Sequence, residues 1–132
     1  MAITYSAEIN ENLLLITASG RDENVREVLD YGSAVIDLAV RHGATLILCD
    51  ERNLEYALDT FDTFQSAKEI ADLAPKVARI AIVCNAKFLT DGQFWETVAV
   101  NRSLQVRVDT EIDRAKAWLL ESGNPASARY FL

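Results

Sequence analysis

Leu46 to Cys49 are four consecutive apolar residues, preceded by Thr45 and closed by the acid Asp50. A run this short cannot make a buried helix, and a strand apolar on both faces needs cover on both sides. Such strands lie inside mostly parallel sheets, so the rest of the chain is expected to supply neighbouring strands and the helices that cover them.

It does so in alternation. Ile3 to Ile9 has a period of two, as in a half-exposed strand, and Asn10 to Asn12 turns into the apolar segment Leu13 to Gly20. These two predict an antiparallel hairpin whose first strand shields the edge of the second. Asp22 or Asn24, the latter with Glu27 three residues on, caps a helix that runs to His42. Its inward stripe is Val25, Val28, Leu29, Gly32, Ile36, Ala39 and Val40. The single histidine, His42, stands at the helix end before Gly43, a structural position.

After Asp50 the segment Glu51 to Leu58 reads as a loop. Asp59 or Thr60 then opens a helix that stops at Pro75. In it Phe61, Phe64, Ala67, Ile70, Ala71 and Leu73 recur at helical spacing and are expected to face the core. Val77 to Cys84 is the next strand, and Asn85 to Leu89 a loop. Thr90 with Gln93 caps a helix that turns Phe94, Trp95, Val98 and Ala99 inward. Gln105 to Asp109 alternates strictly, as an edge strand does. Thr110 with Asp113 caps a last helix with Ile112, Ala115, Trp118 and Leu119 inward.

The expected fold is therefore α/β: an N-terminal β-hairpin and strand-helix units in a mostly parallel five-stranded sheet. If the strands add in sequence order, the helices lie mainly on one face. Polar residues at Arg79, Gln105, Arg107 and Asp109 suggest a partly open opposite face, through which a homodimer is expected. Residues 1–122 form the domain. Residues 123–132 are a C-terminal tail closing on Tyr130-Phe131-Leu132.

At 132 residues one domain buries roughly 68% of the surface its unfolded chain exposes, so no disulfide or metal is needed. Twenty acids against 13 bases give a net charge of −7, which disfavours nucleic-acid and anionic-membrane partners. No apolar run approaches the roughly 20 residues of a spanning helix, and the N-terminus lacks the basic-then-apolar pattern of a signal peptide. A cytoplasmic location is expected, where Cys49 and Cys84 remain inert buried thiols. Asp22, Asp50 and Asp109 fall at or near strand ends, and a magnesium-binding carboxylate cluster is one reading of them. Turn and cap roles are the other. Glycine-rich phosphate loops are absent, so no cofactor is expected and no catalytic residue is assigned.

Four stretches carry a family resemblance: the opening hairpin, Thr45-Leu-Ile-Leu-Cys-Asp50, Arg79-Ile-Ala-Ile-Val83, and Asn101-Arg102 with Val106 to Leu119, which ends in Ala-Lys-Ala-Trp-Leu. Together they resemble the STAS family, with the SpoIIAA-like fold of anti-sigma-factor antagonists, and most nearly its small stand-alone bacterial branch. The resemblance implies a non-enzymatic regulatory module that binds a protein partner. It also implies phosphorylation control, because Thr60 stands where antagonists carry the serine that accepts phosphate, with Asp50 and Asp59 matching the two acids that precede it. The implied docking residues are Asp50, Asn53, Tyr56, Asp59 and Thr60; by residue type alone Thr60 is first of all a helix cap. An alternative is a carrier of a small apolar, lipid-like ligand, with Phe61, Phe64, Phe88, Phe94 and Trp95, joined by Tyr56, lining a cavity between helices and sheet. Core packing accounts for the same aromatics.

Overall fold

The computed structural model describes residues 2–75 and 78–122; Val77 and the tail residues Tyr130, Phe131 and Leu132 lie outside the described residues. Strands β1 (Thr4–Asn10) and β2 (Leu13–Asp22) form the hairpin, in register from Thr4 opposite Ser19 to Asn10 opposite Leu13. Asn12 ties the hairpin turn to the next strand: its side chain donates to the Thr45 hydroxyl at 2.7 Å and accepts from the Thr45 N–H at 2.9 Å.

Helix α1 (Val25–Arg41) starts at Asn24, whose Oδ1 accepts from the Glu27 N–H, while the Glu27 carboxylate accepts from the Glu23 N–H. This is the reciprocal cap expected, shifted back by one residue. The helix ends at His42, and Gly43 takes a left-handed φ of 66°, open to glycine at no steric cost. Its buried residues are Val35, Ile36 and Ala39; Val40, expected inside, is 59% exposed near the helix end.

Strand β3 (Leu46–Tyr56) leads to α2 (Thr60–Leu73), and β4 (Arg79–Cys84) to a 3₁₀ turn (Ala86–Phe88) that runs into α3 (Leu89–Asn101). Strand β5 (Gln105–Asp109) and helix α4 (Ile112–Ser122) complete the domain. The sheet order is β1-β2-β3-β4-β5, with β2 to β5 all parallel. Each right-handed crossover advances one strand in the same direction, so α1, α2 and α3 share one face. There Leu14, Ile16, Ile47, Ile80, Ile82 and Val106 meet Ile36, Ala39, Ile70, Ala71, Val98 and Ala99.

Helix α4 carries no crossover and closes the other face over β3 to β5. Leu48, Ala81 and Val83 pack against its Ala115 and Leu119, with Trp118 alongside. Much of the face expected to be open is thus occupied. The Arg79 guanidinium sits 6.0 Å from the Trp118 ring, and Asp109 is buried and bonded to Arg114 at 2.8 Å. That arginine holds the Asp109 carboxyl down at about 2. The part left uncovered is the β1-β2 edge, where every β1 side chain is exposed and Leu13 and Leu15 are half-buried.

Four further local expectations are corrected. Glu51 to Tyr56 is strand and not loop. Thr90 lies inside α3; the side chain that caps is Asn85, which accepts from the Lys87 N–H at the 3₁₀ turn. Asp109, not Thr110, accepts from the free N–H groups before α4, those of Thr110 and Glu111. Phe61 and Phe64 are 70% and 43% exposed, and Phe94 and Leu73 also face out. The inner stripe of α2 keeps the expected Ala67, Ile70 and Ala71, and Thr63 and Ser66 take the places expected for the phenylalanines.

Candidate functional site

Strand β3 outruns β4, which ends with Cys84 opposite Glu51, and its last residues pair with β2 alone. Between Thr17 opposite Asp50 and Ser19 opposite Asn53, β3 spends three steps where β2 spends two. This bulge changes which residues point inward. Ile47, Cys49 and Glu51 face the three helices before it, and Leu54 and Tyr56 face them after it. A strictly alternating strand would have turned Glu51 or Tyr56 outward; the bulge brings both to one place.

That place is a cavity of about 80 Å³ under the β2-β3 extension, at the carboxyl ends of the parallel strands. Helices α1, α2 and α3 reach it with Tyr31, Thr63 and Trp95. Open sheets of this class commonly bind ligands beyond the carboxyl ends of their strands. Glu51 is buried in the wall, accepting from the Tyr31 hydroxyl at 2.8 Å and from the Tyr56 hydroxyl at 2.5 Å. Burial raises the Glu51 carboxyl, although both phenols pull against it. Burial and the Glu51 charge in turn lift both phenols well above their usual range.

Asp22, from the end of β2, is 6% exposed and accepts from the Ala57 N–H. Burial pushes its carboxyl up to about 6 despite that bond, and the nearby Asp91 charge adds to the rise. Gly92 at the α3 start leaves the space open. A Cβ there would stand 2.9 Å from Val108, 3.5 Å from the Cys84 sulfur and 3.9 Å from the Tyr56 ring. Trp95 is fixed by donating from its indole to Ser66 Oγ at 3.0 Å, which explains the buried serine of α2.

The five expected docking residues are divided by the length of β3. Asp50 lies on the α4 face in an ion pair with Arg52 at 2.7 Å, a bond that lowers its carboxyl. Tyr56 is six strand residues further on, about 20 Å along β3, and Asn53 points outward beside the bulge. Tyr56 belongs to the cavity. Asp59 and Thr60 sit together at the start of α2, where Asp59 accepts from the Asp62 N–H at 2.8 Å and Thr60 is exposed. Of the five expected pocket aromatics only Trp95 lines the cavity; Phe88 meets the Tyr56 ring at a tilt, with centroids 5.8 Å apart.

Asp22, Asp50 and Asp109 do not converge. The last two carry their own arginines on the α4 face, and Asp22 is on the other. Among the described residues no cluster of three or more histidine, cysteine or acidic side chains is placed to hold a metal ion. No helix among them is long and apolar enough to cross a membrane. Cys49 and Cys84 are free and buried, and burial raises both thiols, Cys84 to about 11.

Neither a protein-family model nor a curated protein matches the chain. Among solved structures it is similar to an anti-sigma factor antagonist from Mycobacterium paratuberculosis, with a TM-score of 0.62 over 90% of this chain and 95% of that one. The chain has the fold of an anti-sigma factor antagonist. At 11% identity the likeness is one of fold, so side-chain roles within this antagonist fold rest on the geometry above. Sequence reading passed over Glu51, Tyr31, Thr63 and Asp91. The one signal present was a second acid directly after Asp50, which gives the strand end a carboxylate on each face.

Proposed function

We propose that the chain is a non-enzymatic cytoplasmic regulatory module that binds a protein partner through the start of α2. The observation that carries this reading is the exposed pair Phe61 and Phe64, one helical turn apart beside the exposed Thr60. Large apolar side chains held out in water at one spot are a common mark of a docking surface. The antagonist fold supports a regulatory role over a catalytic one. Asp59 precedes the pair and Asp62 lies between its members, so the partner presents an apolar pocket with basic groups at its rim.

Phosphate on Thr60 is the proposed control. It would add about −1.5 to −2 charge between these acids and beside Phe61, opposing burial of that ring against a partner. Self-association through the uncovered β1-β2 edge is part of the same proposal. A monomer mass in light scattering at micromolar concentration would overturn that part.

The test is recovery of a stoichiometric partner on the tagged full chain, followed by affinity measurement with variants. Phe61→Ala is expected to weaken binding by about tenfold or more, with thermal stability unchanged because the ring is exposed. Leu120→Ala, exposed on α4, serves as the control and should bind as the parent does. Equal affinity for Phe61→Ala, or a bait that returns without a partner, overturns the reading. Asp59→Ala is a poorer probe, since loss of the cap costs about 1 kcal/mol of stability by itself.

A further inference from the structure

We infer that the cavity under the β2-β3 extension binds a small organic ammonium, with the charged group toward Asp22 and Glu51 and an apolar body against Trp95. This inference stands apart from the docking reading, since it concerns the inside of the fold and not the α2 surface. It takes up the small-ligand alternative and changes the chemistry of the ligand.

Size comes first. A volume of about 80 Å³ holds about six water-sized groups, at 10–15 Å³ each, which is far short of a lipid chain. Charge comes second. Three carboxylates border the space, those of Asp22, Glu51 and Asp91, and no lysine, arginine or histidine lines it. The acids sense one another: Asp91 disfavours the ionised form of Asp22, and Asp22 that of Glu51. An anion would add to this repulsion, and a neutral apolar guest would strip water from the carboxylates without replacing it. A cation relieves both.

The walls decide which kind of cation. Leu54, Ile82 and Val108 give apolar surface, and the rings of Tyr31, Tyr56 and Trp95 offer faces that attract an ammonium group. A small metal ion needs several ligating oxygens converging on one point, and no such grouping exists among the described residues. The two phenols hold the Glu51 oxygens in fixed directions, and the Trp95 indole is locked onto Ser66. The site is thus formed before any ligand enters, which is the usual condition of a small-molecule pocket.

Calorimetric titration of the full chain with isobutylammonium chloride, its neutral isostere isobutanol, and sodium isobutyrate tests this at constant ionic strength. The ammonium is expected to bind saturably at one site with a Kd of about 1 mM, as suits a ligand of five heavy atoms. Isobutanol is expected to bind at least about tenfold more weakly, and isobutyrate more weakly still. Asp22→Asn, which keeps the side-chain shape, should lower ammonium affinity about tenfold and leave that of isobutanol within about twofold. Gly92→Ala, which puts a methyl group into the space, should abolish binding of both. Absence of saturable ammonium binding overturns the inference, as does equal binding of the alcohol or affinity indifferent to Asp22→Asn and Gly92→Ala together. None of these failures touches the docking reading, whose variants lie elsewhere.

Discussion

Leu119→Ala is expected to lower the unfolding free energy by about 2–5 kcal/mol and the melting temperature by roughly 8–20 °C. Leu120→Ala, one residue on, should move stability by no more than about 0.5 kcal/mol. Leu119 is 1% exposed between α4 and the sheet, where Leu48, Ala81 and Val83 close around it; Leu120 is 65% exposed. The large loss has two parts, the transfer of the missing methyl groups to water and the void they leave. That void cannot collapse easily, because three of its walls are strand side chains held by the ladder between β3, β4 and β5. Chemical denaturation of both variants by guanidinium checks the result. A cost below about 1 kcal/mol for Leu119→Ala would mean that α4 is not seated on the sheet and that the sheet is covered on one face only.

Spacing alone chose Leu119 over Leu120, since Ile112, Ala115, Trp118 and Leu119 fall on one side of a helix. What spacing could not supply is the side of the sheet that α4 covers. The first three helices are committed by their crossovers, whereas the last follows the final strand and is free to close either face. The apolar residues alternating with Ile80 and Ile82, namely Ala81 and Val83, settle it in the structure.

The same reasoning explains the two largest misreadings. Glu51 to Tyr56 looks like loop because polar residues interrupt any strict alternation, and the bulge shifts the phase halfway along. Period-two patterns detect regular strands, so a strand that changes phase within six residues escapes them. Phe61 and Phe64 share one face of α2, and helical spacing does say that. It does not say that the opposite, smaller face is the inward one. Ser66 is fully buried there because Trp95 from α3 needs an acceptor, a long-range demand that no local pattern records. The cavity was hidden for the same reason: its lining comes from four strands and three helices, and each residue has an ordinary local role. By contrast the hairpin, the helix starts near Asn24 and Asp59 and the stop at Pro75 depend on neighbours in sequence and were legible, whereas the strand order entered only as a condition that the structure meets.

Asp22→Asn is expected to stabilise the domain by about 1–3 kcal/mol at pH 8 and to leave it nearly unchanged at pH 4. The folded carboxyl titrates at about 6 against an ordinary 3.8, so between those values the folded state holds the proton more tightly. Stability from this group therefore rises as pH falls through 6 and levels off below 3.8, and above 6 the buried charge is a standing cost. Glu51, also raised by burial, adds in the same direction, as does relief of the −7 net charge on approach to acid. Asp109, held down by Arg114, works oppositely: its contribution is present above 3.8 and is lost as pH falls toward 2. Asp50, paired with Arg52, sides with Asp109. The two sets place maximum stability near pH 4–5, below the usual neutral range, by about 2–3 kcal/mol over pH 8. Asparagine keeps an oxygen for the Ala57 N–H and removes the charge, so its curve should be the flatter one between pH 4 and 7. Denaturant unfolding of both proteins across that range decides it, and parallel curves would mean that Asp22 ionises as freely in the fold as in the open chain. A flattened curve would show that the fold tolerates a buried carboxylate without a full counter-charge in its cavity wall at neutral pH, and a bound ammonium would remove the same cost without any substitution.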